Sequence, residues 1–217
     1  MSILSLKNVS FQDANTKVLK DINLEINEGD FITITGPSGG GKSTLLRILG
    51  DLISPTSGHV YLRDKDYSEI PPLKLRSEIN YFFQQPYLFG NTVYDNLSFP
   101  YEIRKKNIDD RKIYMLLEKF NIDKEYLIKD INKLSGGEKQ RISLIRSLLH
   151  AGPVLLLDEI TSALDKENKL LVEHIMKDMN NKGHTILWIT HDLSQIKDLS
   201  NKKIIIEDGT IISKEGF

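Results

Sequence analysis

Apolar and polar positions alternate along the first part of the chain. Val18, Ile22, Leu24 and Ile26 are apolar, and Asp21, Asn23 and Glu25 interrupt them with a period of two. That pattern predicts strands with one buried face. Glu28-Gly29-Asp30 reads as a turn, and FITIT (31–35) as a β-rich strand running into a glycine loop. From Ser43, STLLRILGDL has helical spacing until Ser54-Pro55-Thr56-Ser57-Gly58 breaks it, and 59–62 reads as a further strand. The character changes after Gln84. Pro86, Gly90 and Pro100 punctuate an aromatic-rich stretch, and Ile113, Leu116, Leu117 and Phe120 then fall on one face of a helix. A second helix is predicted from about 136 to 151, stopped by Gly152-Pro153. PVLLLD (153–158) suits a buried parallel strand, 166–179 a helix and TILWIT (185–190) another buried strand. The last segment reads as a hairpin around Asp208-Gly209. The expectation is a single α/β domain over 1–217, with a core of 1–84 and 152–217 that includes an N-terminal antiparallel β-subdomain. A helical subdomain, 85–151, is inserted into it.

Composition narrows the function classes. With 217 residues, 40% hydrophobic and 27% charged, the chain can bury one sizeable core with a small appended lobe. A net charge of −1 provides no basic face, so nucleic acid is not an expected partner. The chain has no cysteine, which removes disulfides and thiolate metal sites and fits a cytoplasmic protein. The N-terminus shows no basic region followed by an apolar stretch, so no signal peptide is expected. Apolar runs such as 154–157 and 204–206 fall far short of the roughly 20 residues that span a bilayer. Any membrane part would come from another chain.

GPSGGGKST (36–44) matches G-x-x-x-x-G-K-[ST], after a predicted strand and before a predicted helix. Gly36, Ser38, Gly39, Gly40 and Gly41 let backbone N–H groups close around phosphate oxygens. Lys42 neutralises the β and γ phosphates, Ser43 offers a hydroxyl to Mg²⁺, and Thr44 completes the helix start. Asp158 and Glu159 end a buried strand, the sheet edge where ligands bind in open α/β folds. Asp158 is expected to hold Mg²⁺ or its water, and Glu159 to orient and deprotonate the attacking water, although two such carboxylates could also simply cap a helix. His191 ends another apolar strand and is read as a γ-phosphate sensor, with a backbone-bonded strand-end histidine as the plain alternative. Gln84 reads as a bridge to Mg²⁺ or water and a hinge, or as an ordinary loop glutamine. His59, His150, His174 and His184 show no metal-ligand spacing. LSGGEKQR (134–141) has the S-x-x-E spacing of a capping box. A well-capped helix does not need Gly136 and Gly137, which cost about 1 kcal/mol each relative to alanine. The pair makes sense if an anion, such as the γ-phosphate of an ATP on another copy, approaches the helix start closely.

GPSGGGKST, Gln84, LSGGEKQR, VLLLDE, SALD (162–165) and His191, in this order, resemble the ATP-binding subunits of ABC transporters over essentially the whole chain. The resemblance implies the P-loop NTPase fold of an ABC-type nucleotide-binding domain, with ATP and Mg²⁺ as ligands. It also implies a head-to-tail homodimer when ATP is bound. Each ATP would then lie between the phosphate loop of one copy and the LSGGE segment of the other. Ser135 and Gly137 would contact the γ-phosphate, and Asp165 would lie near the opposing phosphate loop. A separate integral membrane permease would dock on the aromatic stretch Tyr87, Leu88, Phe89, Tyr94 and Tyr101, placing the chain at the cytoplasmic face of the membrane; packing between lobes is the other use for those aromatics. Two departures stand out: Asp13 occupies the place of the family's adenine-stacking aromatic, leaving Phe11 as substitute, and Ile160 replaces the proline after the catalytic glutamate. DEITSALD, LISPTSG and TVYDNLSFP look like the bacterial iron-export ATPases and the related plant aluminium-tolerance ATPases. A soluble ABC ATPase of an assembly or regulatory system, moving no cargo, remains the alternative.

Overall fold

The computed structural model describes residues 1–190 and 199–217. The chain divides into two compact units. The first comprises Met1–Tyr81, Gly152–Glu159 and Met176–Phe217, and the second Phe82–Ala151 with Ile160–Ile175. Compactness thus groups residues 160–175 with the helical unit, whereas their sequence pattern had suggested the α/β core.

In the first unit, β1 (Ser2–Asp13), β2 (Thr16–Asn27), β4 (Ser57–Leu62) and β5 (Lys65–Asp66) form an antiparallel sheet in the order β2-β1-β4-β5. A second sheet runs β10-β9-β3-β8-β7-β6, built from β3 (Phe31–Thr35), β6 (Ile79–Phe82), β7 (Val154–Asp158), β8 (Thr185–Ile189), β9 (Lys202–Glu207) and β10 (Thr210–Glu215). Its centre is parallel, with β3 between β8 and β9 and β7 beside β8. Every residue of β3, β7 and β8 is buried, as the apolar runs of β7 and β8 predict; in β3 this includes Thr33 and Thr35. Helix α1 (Lys42–Leu49) packs against β2, β7 and β8. Leu45, Leu46 and Leu49 join Leu24 and Ile26 of one sheet and Ile34, Leu156 and Leu187 of the other in one apolar core.

The period of two in β2 holds from Ile22 to Ile26 but slips before it. Leu19 is buried and Val18 only half-buried, and Asp21 has φ +52°. The bulge there moves Leu19, not Val18, onto the core face.

The second unit contains α3 (Val93–Glu102), α4 (Asp110–Lys119) and α5 (Gly136–Leu148), with α3 and α4 both packed on α5. Ile113, Leu116, Leu117 and Phe120 are all buried, the face their spacing predicts. Pro100 lies within α3 rather than ending it. A short helix, α2 (Pro72–Glu78), precedes β6, and α6 (Lys166–Asn181) has residues in both units.

Candidate functional site

The phosphate loop is shaped by the chain's own packing. Gly36 has φ +134°, and a Cβ there would lie 1.9 Å from the Ile206 carbonyl oxygen. Gly41 has φ +102°, and its Cβ would come within 2.8 Å of Leu19 Cδ2 and the Val18 carbonyl. These two positions must be glycine for the loop to exist. Gly41 is also the N-cap of α1 and supplies no side-chain hydrogen bond. The first N–H groups of α1 therefore keep their capacity to bind an anion, beside the positive end of the helix. Ser38 and Gly39 are exposed at the loop tip, Gly40 is buried and Thr44 half-buried. Lys42 is buried, and its Nζ donates to the Gly36 and Pro37 carbonyls at 2.9 and 2.7 Å. The ammonium is thus folded back over the loop's own backbone.

Opposite the loop, Asp158 ends β7, 4% exposed. Its Oδ1 accepts from the Ser43 hydroxyl at 2.9 Å, and its Oδ2 from the Tyr81 hydroxyl at 2.5 Å. A hydroxyl and a carboxylate oxygen side by side at a phosphate-binding helix are hard donors that suit Mg²⁺. Burial, then the bond to Asp158, pushes the Tyr81 phenol well above its ordinary pKa, so it remains a donor. The next residue, Glu159, leaves the strand with φ +48° while its N–H donates to the Ile189 carbonyl at 3.1 Å. A left-handed non-glycine residue carries about 1–2 kcal/mol of strain. That turn directs the chain off the strand end immediately after Asp158.

Sequence reasoning missed Tyr81, because a tyrosine in a strand before Gln84 carries no motif. It also missed Gly209, read only as a hairpin turn. The Gly209 N–H donates to the Gly40 carbonyl at 3.1 Å and its own carbonyl accepts from the Lys20 N–H at 2.8 Å, so the β9–β10 turn buttresses the phosphate loop. Phe11 is half-buried, packs on the apolar core and also lines a groove with Lys17, Leu19 and Thr56. Asp13 is exposed at the end of β1. His191 lies outside the described residues.

The remaining candidates belong to the second unit. Gln84 is exposed in a bend after β6. Ser135 caps α5 and forms a full capping box with Glu138. The Ser135 hydroxyl accepts from the Glu138 N–H at 3.3 Å and itself helps to stabilise the Glu138 carboxylate. Gly136 and Gly137 contrast with the phosphate-loop glycines. Neither has positive φ, a Cβ on Gly136 would meet nothing within 4 Å, and one on Gly137 would meet only Leu164 Cδ2 at 3.7 Å. Asp165 is exposed and accepts from the Asn168 N–H at 2.9 Å at the start of α6. That backbone bond, helped by the Asn168 side chain, lowers its pKa. Ile160, where the family has proline, is fully buried.

The aromatic stretch divides. Tyr87 is 75% exposed, whereas Tyr101 is buried against the His150 ring. Buried Asn96 fixes the backbone between them. It bonds the Phe89 N–H, the Phe89 carbonyl and the Thr92 carbonyl, and accepts from Arg146 of α5 at 3.0 Å. Asn96 lies within TVYDNLSFP, but that stretch assigns it no partner; its bond to Arg146 exists only once α3 and α5 are packed.

Comparison with known proteins agrees with this geometry. The family model described as ABC transporter matches residues 19–162. The chain is 48% identical over 195 residues to the probable iron export ATP-binding protein FetA of Escherichia coli (strain K12), covering 89% of this chain and 87% of that protein. It is 37% identical to the spermidine/putrescine import ATP-binding protein PotA of Fusobacterium nucleatum, covering 96% of this chain but spanning only 56% of that longer relative. Among solved structures, the post-hydrolysis dimer of the ATP-binding cassette MJ0796 bound to ADP and Pi superimposes with a TM-score of 0.88, at 30% identity and 98% coverage of both chains. The chain belongs to the ABC transporter family, as one of its ATP-binding, ATP-hydrolysing subunits.

Proposed function

We propose that this subunit works as a head-to-tail dimer at the cytoplasmic face of a membrane and powers a separate permease that exports a metal, iron being the favoured cargo. The iron reading rests on one observation: 48% identity to the iron-export relative over nearly the full length of both proteins. The importer relatives are less similar and carry a further part this chain does not match. Among the described residues no helix is long and apolar enough to cross a membrane, so a partner would supply the path.

In the proposed mechanism the α1 N–H groups and Lys42 bind the phosphates. Ser43 and Asp158 would hold Mg²⁺, which would supply charge neutralisation for the phosphates. Glu159 takes a proton from water as its oxygen attacks the γ phosphorus; the bond to the β–γ bridging oxygen breaks, and ADP and phosphate leave. Gln84 and His191 would complete the γ-phosphate surroundings, Phe11 would flank the adenine, and Asp165 would sit near the partner's phosphate loop. The glycine pair supports the two-copy reading. Nothing among the described residues crowds Gly136 or Gly137, so in this reading their small size serves something that approaches from outside. With ATP between two copies, hydrolysis removes the bridging contacts and releases the dimer.

Affinity capture of the tagged chain from detergent-solubilised cells, followed by mass spectrometry, tests the assignment. One multi-span membrane protein should dominate, and cells lacking the chain should accumulate iron. Capture of soluble partners alone would replace transport with an assembly role, and unchanged iron would remove that cargo.

Tyr81 offers a narrower test. Tyr81→Phe frees one oxygen of Asp158, so the Mg²⁺ concentration needed for half-maximal binding of a fluorescent ATP analogue should rise several-fold, with metal-free binding unchanged. An unaltered Mg²⁺ requirement would rule out a positioning role for the phenol.

A further inference from the structure

A capping box rests on two reciprocal bonds, and the box of α3 gains only one further backbone bond, from the Asn91 N–H. There Asp95 Oδ2 accepts from the Asn91 and Thr92 N–H groups at 2.8 and 2.9 Å, and Thr92 Oγ1 from the Asp95 N–H. At α5 the chain adds more. Glu138 Oε2 accepts from the Ser135 N–H at 2.6 Å, while its Oε1 accepts from the Tyr126 hydroxyl at 2.8 Å and from Lys129 Nζ at 3.2 Å. The Lys129 ammonium also lies 4.0 Å from the centre of the Tyr126 ring. Tyr126 belongs to the 3-10 turn Lys124–Ile128, and Lys129 follows directly. Two consecutive local features of this turn thus converge on one carboxylate.

Desolvation works to raise the Glu138 pKa. The Ser135 N–H, the Tyr126 and Ser135 hydroxyls and Lys129 outweigh it and bring the value down to about 2. The carboxylate is therefore charged wherever the protein functions. A fixed negative charge in the first turn favours an isolated helix. The same charge opposes a second anion brought to that helix start, unless a cation cancels it.

We propose that Tyr126 and Lys129 are positioning residues for the ATP sandwich. They hold the Glu138 carboxylate on the Ser135 N–H and neutralise it, so that the first N–H groups of α5 can receive the triphosphate carried by a second copy. This rests on the two-copy reading above and deepens it. Neither residue touches nucleotide; both act through Glu138. Lys129 matters for its charge, and Tyr126 for the direction it imposes on the carboxylate.

The experiment measures the concentration of the non-hydrolysable analogue adenylyl imidodiphosphate, with Mg²⁺, that gives half-maximal dimer in analytical ultracentrifugation. Fluorescent-nucleotide binding to the single chain and the melting temperature are recorded for each variant. Lys129→Met should raise the dimerisation requirement about tenfold with single-chain binding unchanged. Lys129→Arg, which keeps the charge, should restore it. Tyr126→Phe should have a smaller effect in the same direction. Ser135→Arg serves as the control and should abolish the dimer altogether. If Ser135→Arg abolishes dimer but Lys129→Met leaves the requirement unchanged, the positioning role is overturned and the two-copy reading stands. If Ser135→Arg still dimerises normally, the two-copy reading falls and this inference with it. A loss in Lys129→Met that Lys129→Arg does not restore, accompanied by a lower melting temperature, would reduce Lys129 to a structural part of the turn.

Discussion

Glu159→Gln is expected to bind ATP as the parent chain does, to lose roughly a hundred- to ten-thousandfold in turnover, and to accumulate as an ATP-bound dimer. The substitution is nearly isosteric but removes the negative charge and with it the ability to accept a proton. The residue already sits at φ +48° with its N–H bonded to the Ile189 carbonyl, and glutamine keeps both features. The phosphate loop, Ser43 and Asp158 are untouched, so binding should survive. If chemistry is what releases the dimer, stopping it should trap the closed form. Steady-state phosphate release with size-exclusion chromatography in ATP checks both halves. Near-normal turnover would mean that another group takes the proton from water, and Glu159 would lose its catalytic assignment.

The second large effect separates glycines that the fold needs from glycines that a partner needs. Gly137→Ala should leave melting unchanged or slightly raised, because alanine is the better helix former and a Cβ there meets Leu164 Cδ2 at an ordinary 3.7 Å. The ATP concentration required for dimerisation should nevertheless rise roughly ten- to a hundredfold, as expected for losing a charge-assisted bond to phosphate. Gly41→Ala should behave differently. Its Cβ would strike the Val18 carbonyl at 2.8 Å, in a left-handed backbone, so stability and single-chain ATP binding should fall together. Melting curves, single-chain binding and dimerisation on both variants distinguish the two cases. A Gly137→Ala protein that dimerises normally would show that nothing approaches the start of α5.

Legibility followed the range of the interactions. The phosphate loop, the strand-end carboxylates and the LSGGE helix start were readable because each is a local device: residue type and spacing within a few positions carry its chemistry. The fully buried strands β7 and β8 were readable for the same reason, since a short apolar run between turns has few other uses. The phase of β2 was misjudged around Val18 and Leu19, because a bulge at Asp21 reverses which neighbour faces inward. The placing of 160–175 likewise depended on which surfaces those residues pack against.

The sequence by itself thus determined the ABC ATPase assignment, because its motifs are short stretches in which residue type and spacing follow from local order alone. Only the tertiary structure decided what holds those groups in place. Tyr81 reaches Asp158 from the neighbouring strand, Gly209 supports Gly40 from the far end of the chain, Asn96 meets Arg146 between helices, and Lys129 meets Glu138 beside the Ser135 cap. None of these pairings has a sequence spacing of its own. Each arises where packing brings two distant segments within hydrogen-bond reach, and burial then makes leaving either partner unpaired costly.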